Sequence, residues 1–210
     1  MPPDFSFEQA LPGIVCGVDE VGRGPLAGPV IAAAVVLPRT LPAILADTLD
    51  DSKKLSAKKR DTLYDVILEC AQVGLGRGEV EEIDRVNILQ ATFLAMGRAV
   101  AALREKTAID HALVDGNQRP PLPCPVQCIV KGDSRSLSIA AASVVAKVTR
   151  DRLMTALSQD FPGYGWDRNA GYGTAEHRAA LGRLGLTPHH RRSFAPIGDL
   201  FEKTAISTHS

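Results

Sequence analysis

The sequence predicts one α/β domain built around a mixed sheet. Three early segments have the composition of strands: Ile14 to Val21, Val30 to Leu37 and Val73 to Val80. Further short strands, at Ala112 to Val114 and Gln127 to Val130, then alternate with helical stretches. A chain of 210 residues with 45% hydrophobic content can bury one sizeable core.

The helices follow from capping residues and from apolar side chains at helical spacing. Ser56 can cap a helix that runs to about Cys70, and Asn87 can cap one that carries Leu89, Phe93, Met96, Val100 and Leu103 on one face. Leu137 to about Gln159 is helical, with a first half so apolar that it should be buried. Phe161 to Gly173 is a loop rich in glycine and aromatic residues, after which Thr174 can cap a short helix from Ala175 to Leu181.

Charge and composition exclude several classes of protein. Twenty-four basic and 24 acidic residues balance, but the basic ones form groups that suit nucleic acid. These groups are Lys53, Lys54, Lys58, Lys59 and Arg60; Lys147, Arg150 and Arg152; and Arg191 and Arg192.

Cys124 and Cys128 have no second pair that would complete a zinc site. The uncharged run Gly24 to Pro38 is too short to span a membrane and the acidic N-terminus is no secretion signal, so we expect a soluble cytoplasmic protein.

Four carboxylates occupy comparable places in the predicted strands. Asp19 and Glu20 lie at the end of the first strand, Asp115 ends a later strand, and Asp133 follows the next one. Side chains at strand ends can converge, and carboxylates so gathered repel one another unless they are protonated or bind a cation. Oxygen ligands suit Mg²⁺ or Mn²⁺, which can drive phosphodiester hydrolysis. The alternative is that each acid is an ordinary solvated turn residue, and spacing alone does not decide between the two.

Two loops next to these acids suit a nucleic-acid substrate. The glycines in Gly22-Arg23-Gly24 let a backbone approach a ligand closely, as reading a ribose 2′-hydroxyl would require, although a plain turn explains them too. Lys53 and Lys54 lie just before a helix N-terminus, where a phosphate can bind, and a solvated loop with a helix cap is the equal alternative.

Read together, these segments resemble the ribonuclease HII family. The matching segments run in the family's order: Gly17 to Pro29, Asp51 to Leu55, Val114 to Gly116, Lys131 to Asp133, Ile139 to Asp151, Gly171 to Thr174, and His190 to Phe194. The first is long and highly specific. One departure is Gly173, where the family often has proline.

The resemblance implies a fold, an activity and roles for individual residues. The fold would be an RNase H-like mixed sheet flanked by helices, with residues 1–183 as the catalytic domain and 184–210 as a short C-terminal helical extension. The activity would be hydrolysis of RNA in RNA–DNA hybrids and incision 5′ of single ribonucleotides in duplex DNA, as in ribonucleotide excision repair, leaving 3′-hydroxyl and 5′-phosphate ends.

The family's metal-binding and catalytic acids match Asp19, Glu20, Asp115 and Asp133, of which the first three would ligate the metal. Its 2′-hydroxyl-reading loop matches Gly22, Arg23 and Gly24, and its sugar-packing tyrosine matches Tyr172. Lys53 and Lys54 lie where backbone phosphates are expected. We expect a monomer that binds no membrane.

Two other functions fit parts of the pattern. A nucleic-acid-binding module of the same fold would have lost its catalysis, but all four acids are present. A metal-dependent phosphatase or nucleotide hydrolase acting on small molecules would not need the basic groups, and the sequence has no nucleoside-pocket motif.

Overall fold

Residues 2–198 are described by the structure, a computed structural model. Part of the predicted C-terminal extension, residues 199–210, lies outside the described residues. The strands are β1 (Val15–Val21), β2 (Val30–Val36), β3 (Gln72–Gly78), β4 (His111–Asp115) and β5 (Val126–Ile129). The helices are α1 (Ser6–Gln9), α2 (Ala43–Thr48), α3 (Ala57–Cys70), α4 (Val80–Val86), α5 (Ile88–Arg104), α6 (Leu137–Asp160), α7 (Trp166–Asn169) and α8 (Ala175–Leu184), with short 3₁₀ helices at Ser52–Lys54 and Gly132–Ser134.

The five strands form one mixed sheet in the order β3-β2-β1-β4-β5. β1 is antiparallel to β2 and parallel to β4, and β4 is parallel to β5. β2 is almost entirely buried, as its unbroken apolar sequence predicts. The mixed sheet with flanking helices predicted from the sequence is therefore confirmed.

The capping residues predicted from the sequence begin the expected helices. Ser56 accepts a hydrogen bond from the backbone of Lys59 at the start of α3, and Thr174 accepts one from His177 at the start of α8. Asn87 Oδ1 accepts from the amides of Leu89 and Gln90, which begins α5 where expected.

Several boundaries differ by one to three residues, and two regions differ in the kind of structure they form. Val80 was expected to end a strand but begins α4, because the side chains of Glu79 and Glu82 satisfy the first amides of that helix reciprocally. The predicted loop from Phe161 to Gly173 contains the short helix α7.

The chain forms two compact units. Among the described residues, unit 1 comprises residues 2–21, 31–77 and 92–149, and unit 2 comprises residues 22–30, 78–91 and 150–198. Within unit 1, helices pack closely on the sheet: a Cβ at Gly17 of β1 would lie 2.1 Å from the backbone of Ser138 in α6, and one at Gly76 of β3 would lie 2.0 Å from the carbonyl oxygen of Ala95 in α5. Unit 2 has its own core of Leu26, Ala27, Met154, Tyr164, Trp166, Ala180, Leu181 and Ile197. The proposed division at residue 183 remains a prediction.

Candidate active site

Three of the four predicted acids converge in unit 1. One carboxylate oxygen each from Asp19, Asp115 and Asp133 lies within 4.8 Å of the others. Asp19 belongs to β1 and Asp115 ends the parallel neighbour β4, while Asp133 lies in the 3₁₀ helix that follows β5. Three adjacent parallel strands thus bring residues far apart in sequence to one edge of the sheet.

Local hydrogen bonds fix these carboxylates. Asp115 Oδ1 accepts from the amide of Gly132 at 2.7 Å, and Lys131 turns the chain there with a left-handed backbone (φ 55°, ψ 41°). The turn carries Asp133 into the cluster. Asp19 Oδ1 accepts from the amide of Glu20 at 2.7 Å.

Two buried serines support Asp19, although sequence reasoning connected neither of them with the acids. The hydroxyl of Ser143 in α6 hydrogen-bonds to the Asp19 carboxylate, and it also lies 2.9 Å from the hydroxyl of Ser52. Ser143 is a polar residue in an otherwise alanine- and valine-rich buried helix, and that contrast was the available signal. The resulting connection joins β1, α6 and the first 3₁₀ helix.

Burial and the neighbouring carboxylates raise the pKa values of two acids in the cluster. Burial raises the pKa of the Asp19 carboxyl well above its usual range, and the charges of Glu20 and Asp115 raise it further. Burial likewise raises the pKa of Asp133, with Asp115 adding to the effect. Glu20 is half-buried and acts on Asp19 through its charge, but it is not among the three acids whose oxygens converge. A buried set of oxygen ligands that repel one another fits a divalent cation.

The two predicted phosphate-binding lysines differ in their surroundings. Lys53 is exposed, and its Nζ lies 3.7 Å from Asp133 Oδ2. Burial lowers the pKa of Lys53, but the carboxylates of Asp51 and Asp133 outweigh it, so that the pKa lies above its usual value. Lys54 instead pairs with Asp50 at 2.8 Å. Of these two lysines, Lys53 is therefore the one that contacts the acidic cluster directly.

In unit 2, two buried arginines hold the glycine loop. Arg191 donates to the carbonyl oxygens of Gly22, Arg23 and Gly28. Arg150 donates to those of Ala27, Pro29 and Ala170.

The positive charges of these two arginines are buried and do not face solvent or nucleic acid. Burial lowers the pKa of Arg150 to about 10, and burial together with the Arg150 charge lowers the pKa of Arg191 to about 9. Both guanidinium groups thus stay charged at neutral pH. Their place in basic groups of the sequence suggested contacts with nucleic acid, whereas the structure uses both to shape the loop.

The loop glycines have different roles. Gly22 is buried with φ of 95°, and a Cβ there would lie 2.2 Å from Arg150 Nε. Gly24 is exposed, and its nearest neighbour would be the Tyr172 ring at 3.6 Å, an ordinary contact distance. The structure therefore brings the predicted loop and the predicted sugar-packing tyrosine together, and Tyr172 keeps 46% of its surface exposed.

Comparison with known proteins decides the family. The family model for ribonuclease HII matches residues 16–197. The chain belongs to the ribonuclease HII family. It is 63% identical to a ribonuclease HII from Rhodospirillum rubrum over 211 aligned positions, covering 99% of this chain and 95% of that protein. It is therefore a ribonuclease H, an enzyme that cleaves the RNA strand of RNA–DNA hybrids.

Solved structures agree on the fold. The ribonuclease H2 from Pyrococcus horikoshii OT3 superposes with a TM-score of 0.74 at 26% identity, covering 92% of this chain and 99% of that one. Bst-RNase HIII, solved in complex with Mn²⁺, superposes with a TM-score of 0.76 at 20% identity, covering all of this chain and 75% of that one. Among residues 2–198, no helix has the length and apolar character needed to cross a membrane.

Proposed function

We propose that this ribonuclease HII family member also incises duplex DNA on the 5′ side of single embedded ribonucleotides, leaving 3′-hydroxyl and 5′-phosphate ends. It would do so as a cytoplasmic monomer that uses Mn²⁺ or Mg²⁺. The observation that carries the proposal is the convergence of Asp19, Asp115 and Asp133 within 4.8 Å, with raised pKa values for Asp19 and Asp133.

The acids would hold the metal through their carboxylate oxygens. Asp19, Glu20 and Asp115 are the proposed ligands, and Asp133 would position the assembly or assist product release. When bound, divalent ions activate a water molecule and stabilise the charge that develops on the leaving oxygen. The new bond joins the water oxygen to phosphorus, and the bond to the upstream 3′-oxygen breaks as that oxygen takes up a proton.

The chain's own residues would bind and orient the duplex. The ammonium group of Lys53, 3.7 Å from Asp133 Oδ2, is close enough to the acids to bind a phosphate of the cleaved strand. Lys54 would contact the sugar-phosphate backbone of the duplex less directly, because it already pairs with Asp50.

Recognition of the ribonucleotide would rest on the glycine loop and Tyr172. Gly22, Arg23 and Gly24 would present backbone groups to the 2′-hydroxyl, which both donates and accepts hydrogen bonds. The exposed ring of Tyr172, next to Gly24, would pack on the following sugar, where deoxyribose fits better than ribose. Discrimination is strong when a substrate without the hydroxyl leaves such groups unpaired.

The test is cleavage of a DNA duplex that contains one ribonucleotide, with product ends mapped, beside a continuous RNA–DNA hybrid. We expect incision at the 5′ side of the ribonucleotide and a 3′-hydroxyl end. Tyr172→Phe should keep much of the single-ribonucleotide activity, and Tyr172→Ala should lose most of it. If Tyr172→Ala cuts both substrates at wild-type rates, Tyr172 does not recognise the junction.

A further inference from the structure

Two buried histidines lie behind Tyr172 in unit 2. His177 Nδ1 is 2.9 Å from the carbonyl oxygen of Tyr172, and His177 Nε2 is 3.1 Å from His190 Nε2. His177 and His190 have 0% and 1% of their surfaces exposed. Buried polar atoms need partners, so the proton positions along this connection are constrained.

The tautomer of His177 follows from its neighbours. The Tyr172 carbonyl can only accept, so Nδ1 of His177 must carry the hydrogen. A neutral imidazole then has a lone pair on Nε2. Trp166 Nε1 can only donate, and it lies 3.1 Å from that nitrogen, which agrees with an unprotonated Nε2.

The tautomer of His190 is the opposite one. The Thr187 amide can only donate to His190 Nδ1, so a neutral His190 carries its hydrogen on Nε2, which shares the acceptor His177 Nε2 with Trp166. His190 Nδ1 then accepts, and the amide and hydroxyl of Thr187 both lie 2.9 Å from it. Hydrogen bonds therefore run in one direction, from Thr187 through His190 and His177 to the backbone of Tyr172.

This connection ends on a peptide that two backbone hydrogen bonds also hold. The carbonyl oxygen of Tyr172 also accepts from the amide of Thr174 at 2.8 Å, and the Tyr172 amide donates to Asn169 at 2.9 Å. The next residue is Gly173, which lacks the ring by which proline would restrict the backbone. Hydrogen bonds to the backbone of Tyr172 thus contribute to the direction of its half-exposed ring.

We propose that His177, oriented by His190, is a positioning residue that aims the Tyr172 ring through a hydrogen bond to the Tyr172 carbonyl. The proposal rests on the proposed role of Tyr172 in recognising the ribonucleotide junction. It assigns the Nδ1–H tautomer to His177 and the Nε2–H tautomer to His190.

Both histidines are neutral at the pH where this would operate. Burial lowers the pKa of His177, and burial together with the charge of His177 lowers the pKa of His190 to about 4. Glu176 and His189 are the other titratable groups that act on the pair, and Glu176 forms an ion pair with Arg168. Protonation of His177 Nε2 or His190 Nδ1 would turn that nitrogen from an acceptor into a donor. The hydrogen bonds would then no longer run in one direction from Thr187 to Tyr172.

The first experiment reads the tautomers by long-range ¹H–¹⁵N NMR of the imidazole rings in the full chain at pH 7.5. Signals are assigned with His177→Asn and His190→Gln. The proposal requires the Nδ1–H form for His177 and the Nε2–H form for His190. Either ring in the other tautomer, or protonated, overturns it.

The second experiment tests whether the Tyr172 ring responds. The chain has three tyrosines, so 3-fluorotyrosine labelling should give three ¹⁹F signals, with Tyr172→Phe identifying the relevant one. His177→Ala should shift or broaden the Tyr172 signal, and His177→Asn should restore it, because the asparagine amide can donate from the position of Nδ1. Tyr64, in unit 1, is the control. A Tyr172 signal unchanged in His177→Ala contradicts the proposal.

A double-mutant cycle then connects positioning to recognition. His177→Ala should reduce incision at a single ribonucleotide relative to a continuous hybrid by about tenfold, since a displacement of about 1 Å can cost more than this. In the Tyr172→Ala background it should change that ratio no further. An undiminished effect in that background overturns the proposal. If Tyr172→Ala alone leaves the ratio unchanged while His177→Ala still moves the ¹⁹F signal, the proposed role of Tyr172 in recognition fails and its positioning by His177 stands.

Discussion

The acidic cluster and the glycine loop with its tyrosine differ in how their buried charged groups are held. Asp19, Asp115 and Asp133 are gathered although they repel one another, and burial makes the pKa of Asp19 and Asp133 higher still. Around the loop, by contrast, the buried guanidinium groups of Arg150 and Arg191 donate to backbone carbonyl groups. The fold satisfies the buried guanidinium groups through hydrogen bonds, whereas the gathered carboxylates lie where a cation would relieve their repulsion.

This difference indicates that the fold preforms the glycine loop and that the acidic cluster is the region that binds a cation. Balanced buried polar groups rigidify a structure, whereas repelling charges reduce stability and persist where function requires them. The loop therefore presents a preformed backbone shape, and the cluster presents carboxylate oxygens that repel one another. The following changes should affect the two regions differently.

The largest effect on turnover should come from neutralising the cluster. Asp19→Asn and Asp115→Asn each remove a charge without changing shape, and we expect cleavage of an RNA–DNA hybrid to fall on the order of a hundredfold or more at saturating Mn²⁺. Asp133→Asn should lose less. Single-turnover rates give the comparison, with circular dichroism as the control for folding. Near wild-type turnover in Asp19→Asn or Asp115→Asn would remove that residue from the proposed site.

In the loop, the largest effect on stability should come from Gly22 rather than Gly24. Gly22→Ala forces a side chain into φ of 95° and against Arg150, so the free energy of unfolding should fall by at least about 1–3 kcal/mol. Gly24→Ala has room for its methyl group and should change stability by less than about 1 kcal/mol, yet impair cleavage because the proposed contact with the 2′-hydroxyl lies there. Urea denaturation and cleavage of both variants test this contrast. Equal stability losses would show that the arginines do not fix the loop.

Acidification should act on the two regions with opposite signs in the metal-free protein. The pKa of Asp19 is raised on folding, so the folded state takes up its proton first and stability is gained as the pH falls through that pKa. The pKa of His190 is lowered from 6.5 to about 4, so the unfolded state takes up its proton first and stability is lost between these pH values.

Urea denaturation between pH 7 and pH 4.5 separates these contributions. Relative to the wild type, Asp19→Asn should lose stability more steeply on acidification, and His190→Gln less steeply. Variants that follow the wild-type pH dependence would contradict these assignments.

The smallest effect should distinguish the two lysines. Lys53→Ala should make the slope of log affinity for duplex against log salt shallower by roughly one, as expected for one lost phosphate contact. Lys54 already pairs with Asp50, so Lys54→Ala should change the slope less. The assay is binding of hybrid duplex across a salt series. Identical slopes in both variants and the wild type would assign both lysines to a solvated loop.

How much the sequence predicts depends on how local the interaction is. Ser56, Asn87 and Thr174 bond to amides two or three residues away, and their helices were predicted correctly. The positions of Asp19 and Asp115 at the ends of predicted strands were also local features, and they allowed the two side chains to converge without deciding that they do.

Long-range partners could not be predicted in this way. Arg191 bonds to carbonyl groups more than 160 positions earlier in the chain, and Ser143 meets Ser52 across 91 positions. In the sequence, Arg191 is one member of a basic pair, and Ser143 is a small polar residue in an apolar helix. Only the folded chain shows that each supports a predicted site residue.

Thermal unfolding of the wild type and Asp19→Asn, each in chelator and in saturating Mn²⁺, tests most directly whether repelling carboxylates form a cation site. In chelator, Asp19→Asn should unfold at the higher temperature, because one repelling charge is gone while asparagine can still accept the Glu20 amide. Mn²⁺ at a hundred times its Kd should stabilise the wild type by about 2.7 kcal/mol and the variant by clearly less. A wild type that Mn²⁺ does not stabilise, or a variant that it stabilises equally, would contradict the account.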